Sequence, residues 1–362
     1  MLSAMTGKEI YELPERLTIS MLPGEYARLI QKNRSLIIPF RKPHVLRLKC
    51  LNCNKGGQYD IGMLAVYLNN PDKGKHDDRS IEEHAQMTGY FRCKHCNSAG
   101  NWEMPTQFSL LIMSAMMSKL ASIENEHYFV GELRLFDGTA HRFATDSEEH
   151  LLSKLSQTDD PALIWDRLGN LYSKGERPEL AAAAYEHAIR LDRRQSESYF
   201  SLAQLLREIG EDRQAADFYR LTISSARFYK SMKAEAFREM LAIAIQDLMH
   251  IHLNSNKSIA FLPERDELSD EENNRPDQAI LELYKFELDP NTLQSFYPVA
   301  EMYMGKRRDE LIYQKKAIKT KPHRETAASI ETITSFTGKS VGKEETSKKQ
   351  KVRHKGKWIK KK

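Results

Sequence analysis

No run of apolar residues in this chain approaches the roughly 20 needed to cross a bilayer, so the sequence predicts no membrane span. The first twenty residues carry Lys8, Glu9, Glu12, Glu15 and Arg16 where a signal peptide needs an apolar stretch, and a cytoplasmic protein is expected. There is no Gly-rich phosphate loop, no His-Glu-x-x-His pair and no nucleophile elbow. His250 and His252 stand two apart, which points them to different faces of a helix and spoils them as a ligand pair. The expectation is a protein without catalysis and without a small-molecule substrate. Cysteine is scarce too, with four in 362 residues, and scarcity makes their placement informative.

All four lie in Cys50-Leu51-Asn52-Cys53 and Cys93-Lys94-His95-Cys96. Two Cys-x-x-Cys turns supply four soft sulfurs at the corners of a tetrahedron, the coordination of structural zinc when no position is left for substrate. The rival is a redox role, as a dithiol oxidoreductase or a thiol switch that releases zinc on oxidation. Metal-bound thiols fit a reducing compartment. Val45-Leu46-Arg47-Leu48-Lys49 alternates apolar and basic residues as a half-exposed strand does, and Gly56-Gly57 follows the first pair. Tyr90-Phe91-Arg92 leads into the second pair, and Asn97 to Gly100 then Trp102 leads out, repeating the order of strand, knuckle and glycine. Residues 44–104 therefore resemble a zinc ribbon. The 39 residues between the pairs exceed the usual spacing of about 15–20, and most of the excess is assigned to the polar stretch Asn69–Arg79. His44, His76, His84 and His95 are expected at the surface, since four thiolates already close the shell.

Thr106–Ile123 carries Phe108, Leu111, Ile112, Ala115, Met116, Leu120 and Ile123 at helical spacing, and Met113, Met116 and Met117 read as core filling. Asp137-Gly138 predicts a tight hairpin between Tyr128–Phe136 and Thr139–Ala144. Asp146 and Glu149 have capping-box spacing for a helix through Leu155. Residues 1–157 are expected to form an α+β domain with small sheets held by metal.

From Ala162 the chain repeats itself. Trp165, Leu168, Tyr172, Ala181, Tyr185 and Ala188 face Tyr199, Leu202, Leu206, Ala215, Tyr219 and Thr222 at an offset of 34 residues. With Gly169 these residues resemble the tetratricopeptide (TPR) pattern. That resemblance implies antiparallel helix pairs stacked into a solenoid over residues 158–325, in which Gly169 and Ala181 allow close approach and Tyr185 fills the gap to the next hairpin. Two repeats do not bury a solenoid core, so decayed copies are expected at Ala279, Leu283, Phe286 and Pro290, at Val299, Ala300 and Tyr303, and at Ala317 with Pro322. Phe228–Leu253 reads as a long amphipathic helix, and 264–277 as an acidic loop. The resemblance further implies a concave groove for a protein partner, lined here by Asp166, Asn170, Phe200, Gln204 and Arg207. TPR domains that grip a C-terminal carboxylate use a lysine where this chain has Asp166, which argues against that ligand.

The net charge of +5 is divided unevenly, because residues 339–362 hold eleven Lys or Arg against Glu344 and Glu345. The preceding 338 residues carry 44 basic against 48 acidic side chains. Residues 326–362 are expected to form a disordered basic tail. Lys348, Lys349, Lys351, Arg353, Lys355 and Lys357 would seek phosphate, and Trp358 would stack on a base. As a whole the chain resembles uncharacterised bacterial proteins that join a zinc-ribbon-like region to TPRs. Two functions follow: a cytoplasmic protein-interaction adaptor or scaffold using the groove, or an RNA-, ribosome- or DNA-associated factor using the tail and ribbon.

Overall fold

The computed structural model describes residues 24–67, 84–120, 127–263 and 287–311, all within one compact unit. The basic tail, the acidic loop and the stretch Asn69–Arg79 lie outside the described residues. So do His76, Ile123, Ala279, Leu283, Phe286, Ala317 and Pro322.

Helix α1 (Glu25–Lys32) precedes β1 (Val45–Cys50) and β2 (Gly56–Asp60), which pair antiparallel from Val45 opposite Asp60 to Lys49 opposite Gly56. In β1 the side chains of Leu48 and Cys50 point inward and those of Arg47 and Lys49 outward, as period-two alternation requires. The gap between the cysteine pairs is not all loop. It also carries β3 (Leu64–Val66) and β4 (Ala85–Met87), two antiparallel strands buried at every residue. Strand β5 (Trp102–Glu103) then joins β1 on the edge away from β2.

Helix α2 (Phe108–Leu120) buries Phe108, Ile112 and Ala115, but Met113 and Met117 are exposed. Only Met116 of the three methionines packs on the core. Core filling is thus corrected for the other two, which project from the opposite side of the helix. The expected hairpin is also corrected. Asp137-Gly138 does make a turn, with Gly138 at φ 83° and Leu135 N–H donating to Thr139 O at 2.8 Å. Its flanks form no ladder, however, because β6 (Tyr128–Val130) pairs parallel with β3 instead. Helix α3 (Ala144–Lys154) starts before Asp146, whose carboxylate accepts from the Phe143 N–H at 3.3 Å. Asp146 is the back-reaching member of the cap and not its first residue.

The rest is helical: α4 (Pro161–Lys174), α5 (Pro178–Leu191), α6 (Ser196–Glu208), α7 (Asp212–Ser225), α8 (Ala234–Asn254) and the short α9 (Tyr297–Tyr303). Proline opens α4 and α5, where its missing N–H costs nothing. Helix α8 buries Phe237, Leu241, Ala244, Ile245 and Leu248, the predicted stripe, and α9 buries Val299 and Ala300 against it. Two hydrophobic clusters result. One lies around the cysteines, the small sheets and α2, and the other joins α1 to the helices from α3 to α9.

Candidate metal centre and repeat face

Strand β1 ends on Cys50 and the chain doubles back into β2 through a tight knuckle. Cys50 O accepts from Asn54 N–H at 2.8 Å, and Cys50 N–H donates to Lys55 O at 3.0 Å. The second pair repeats this closely, with Cys93 O accepting from Asn97 N–H at 2.8 Å and Cys93 N–H donating to Ser98 O at 3.0 Å. Asn54 and Asn97 both stand at φ 58°, a left-handed conformation that Asn adopts more readily than other side-chain-bearing residues. A signal for this was present in the sequence. An asparagine directly follows each Cys-x-x-Cys, ahead of the glycines.

Pairing of Trp102 with Cys50 across β1 and β5 brings the second knuckle against the first. Cys50 Sγ then lies 3.7 Å from Cys96 Sγ, Cys53 Sγ lies 3.6 Å from Cys93 Sγ, and all four sulfurs fall within 4.8 Å of one another. A disulfide needs about 2.05 Å, so the four are free thiols. A tetrahedron with metal–sulfur bonds of about 2.3 Å has edges of about 3.8 Å, close to the two shorter separations here. The four cysteines could hold a metal ion.

The surroundings suit thiolates. Ser98 Oγ sits 3.2 Å from both Cys50 Sγ and Cys96 Sγ, and His95 N–H donates to Cys93 Sγ at 3.4 Å. The hydroxyl and the amide of Ser98 pull the Cys96 thiol down to about 6. Cys53 moves the other way: the Lys55 amide lowers it, but desolvation and the three neighbouring thiols push it up to about 12. Four sulfurs this close ionise together only when a cation sits between them. His95 is exposed as expected, but His44 is buried, with Nδ1 3.1 Å from Gly62 O and its ring 4.8 Å from that of His127. That burial corrects its surface assignment, and the contact with Gly62 satisfies one ring nitrogen inside.

In the helical half, α4 and α5 form one antiparallel pair and α6 and α7 a second. The motif residues Trp165, Leu168, Tyr172, Ala181, Tyr185 and Ala188, and their counterparts Tyr199, Leu202, Leu206, Ala215, Tyr219 and Thr222, are all buried. A Cβ at Gly169 would lie 2.3 Å from the Tyr185 ring, so the two helices meet at a distance only glycine allows. A tetratricopeptide repeat family model matches residues 162–195. That span covers α4 and α5, the first tetratricopeptide hairpin. No curated protein and no solved structure matches the chain.

The five groove residues divide on burial. Asp166 is fully buried and Phe200 only 3 % exposed, while Asn170, Gln204 and Arg207 are half-buried. Asp166 takes a hydrogen bond from Ser198 Oγ at 2.5 Å and faces Arg167, whose Nη1 donates to Glu197 at 2.7 Å. Asn170 donates to Glu197 at 2.9 Å and accepts from the Tyr185 hydroxyl at 2.7 Å. Tyr229, at the end of the second hairpin, donates to Glu197 at 2.5 Å. This polar network ties the two helix pairs together and occupies Asp166 internally. Phe200 packs with Tyr219, and Arg207 pairs with Asp247 on α8. Gln204 carries no such internal duty among the described contacts. Nothing in the 34-residue match distinguishes a network member from a groove residue, because both occupy the same face of the first helix in each pair.

Proposed function

We propose that this protein is a non-catalytic interaction adaptor, in which a structural zinc ion held by Cys50, Cys53, Cys93 and Cys96 supports a TPR face that receives a protein partner. The observation that carries this reading is a matched tetratricopeptide hairpin stacked on a second helix pair, together with four converged thiols. When bound, zinc would supply a cross-link between the two knuckles. Four thiolates fill its shell, so the site braces the fold. Gln204, with the exposed parts of Asn170 and Arg207, is the accessible portion of the face, and helical repeats present such a face by construction.

A photo-crosslinking residue at Gln204, compared with one at the exposed Asp217 on α7, tests the reading in cell lysate. Partner adducts confined to position 204 support it. Adducts from Asp217 alone reject the groove. The zinc assignment is tested separately by elemental analysis of purified protein, with one zinc per chain expected and none after Cys50→Ser with Cys93→Ser.

A second reading, nucleic-acid association, draws on a different observation. Arg47, Lys49, Lys55 and Lys94 are exposed around the knuckles, where Glu103 supplies the nearby negative charge by pairing with Lys49 at 2.7 Å. It predicts binding to RNA or DNA that weakens steeply with salt. Salt-insensitive or absent binding rejects it.

A further inference from the structure

The segment Tyr90–Cys93 is shared between the two halves of the molecule. Its side chains alternate, as an extended chain dictates. Phe91 packs in the cluster around the cysteines, against Tyr59, Trp102 and Phe143, and Cys93 is one of the four thiols. Tyr90 belongs to the helical cluster, where its ring meets Tyr172 edge-on at 5.3 Å. Its backbone N–H donates to Gly175 O at 3.3 Å, and a Cβ on Gly175 would come within 2.5 Å of Tyr90 Cβ. Arg92 points the same way as Tyr90.

Both reach Glu148 on α3, which is fully buried. Its carboxylate accepts from Arg92 Nη2 at 2.5 Å, from the Tyr90 hydroxyl at 2.9 Å and from the Tyr172 hydroxyl at 2.6 Å. Arg92 also donates to Asn97 O at 3.5 Å, so one guanidinium touches both the knuckle's left-handed corner and the buried carboxylate. Arg92 brings the cation to Glu148, and the described residues give the carboxylate no other ion-pair partner. A buried charge held this way depends on its partner staying in place.

We propose that metal occupancy at the four cysteines sets how firmly α3 and α4 are docked, through Arg92 and Glu148. With the knuckle fixed by a metal, Cys93 holds Arg92 in register with Glu148. With the metal removed, residues 93–97 lose their cross-link and Arg92 is no longer held over the carboxylate. Glu148 is then a buried charge without its partner, and the first tetratricopeptide hairpin loosens along α4. The metal centre is thereby a control point for the repeat face and not only a brace for its own sheets. This rests on the metal reading above.

Hydrogen exchange of the full chain tests it, read on peptides from α3 and α4 against peptides from α7 and α8, before and after chelation, with metal content measured on the same samples. The expected result is at least about tenfold faster exchange over residues 144–174 after chelation, with α7 and α8 changed far less. Arg92→Ala in metal-loaded protein should reproduce that pattern with the metal still bound. If chelation frees only the knuckles and 144–174 stays protected, the coupling is overturned while the metal site stands. If the purified chain carries and takes up no metal, both are overturned. Should chelation unfold the whole chain, Arg92→Ala decides: faster exchange in 144–174 alone supports the coupling, and unchanged exchange overturns it.

Discussion

The two halves of this molecule solve the same problem in opposite ways. Around the cysteines the strands are two to six residues long and the core is the smaller of the two clusters. Such short ladders do not bury enough apolar surface to repay the ordering of their loops. A metal cross-link at the sulfurs would supply what the sheets lack. The helical half needs no such device, because Ala181–Ala184, Leu202, Ala203, Ala215 and Ala216 let helices approach closely along their whole length, and tyrosines fill the remaining space. One half is stabilised at a point and the other along a surface, so they should fail differently.

Metal removal breaks the comparison most severely. Structural zinc contributes on the order of 10 kcal/mol to small domains that depend on it. Chelation, or Cys50→Ser with Cys93→Ser, should therefore abolish ordered structure over residues 45–103 while α5 to α8 keep their helical circular dichroism. Near-ultraviolet dichroism reports the loss through Trp102 and Tyr59, whose rings lie 4.7 Å apart. A metal-free protein with that signal intact would show that the sheets stand unaided.

How much of each half could be read in advance follows the same division. The helical half was legible because its packing is periodic: every motif position from Trp165 to Thr222 came out buried. The cysteines were legible because chemistry fixes their spacing. Between them, β3 and β4 flank the polar stretch Asn69–Arg79 without any signal of their own, since three-residue strands such as Leu-Ala-Val and Ala-Gln-Met carry too few alternations to register. The expected groove residues share a helical phase, which does not separate open positions from closed ones. Asp166 and Phe200 have the right helical phase, and only the partners Ser198, Arg167 and Tyr219 reveal that they are closed over. The role of Glu148 was invisible, because its partners Arg92 and Tyr172 are far away in sequence and no motif marks them.

The next largest effect is expected at the tightest helix contact. Gly169→Ala puts a methyl group 2.3 Å from the Tyr185 ring, and overpacking of that kind costs about 1–3 kcal/mol. Urea denaturation should register the loss, and zinc affinity should hold, because a methyl group at Gly169 presses on Tyr185 of α5 and not on the Arg92–Glu148 pair. Weaker zinc binding in this variant would mean that the strain travels along α4 to Tyr172 and Glu148.

Smaller again is Tyr219→Phe. It deletes the hydroxyl that donates to Asp247 at 2.7 Å and leaves the ring in place. A hydrogen bond to a charged group contributes about 1.5–3 kcal/mol, and Arg207 remains beside Asp247 to compensate it, so a loss near about 1 kcal/mol is expected. A larger loss, measured by the same denaturation, would mean that Arg207 depends on Tyr219 for its position.

The subtlest test sets the halves against each other in pH. With metal bound, protons would compete for the thiolates, so the cysteine half should weaken on acidification. Asp166 contributes the opposite slope. Burial, reinforced by Glu197 and opposed by Arg167, holds its carboxyl up at about 7. A carboxyl raised above its unfolded value of about 3.9 binds more protons folded than unfolded. Its contribution is therefore fully present below that unfolded value and is lost as pH rises towards 7. For one site the slope is at most about 1.4 kcal/mol per pH unit. Asp166→Asn removes the titration and keeps the shape, so its stability relative to the parent should improve between pH 4.5 and 7, with the metal contribution cancelling in the difference. Parallel stability curves for the two proteins would mean that Asp166 keeps its charge across this range as the partner of Arg167.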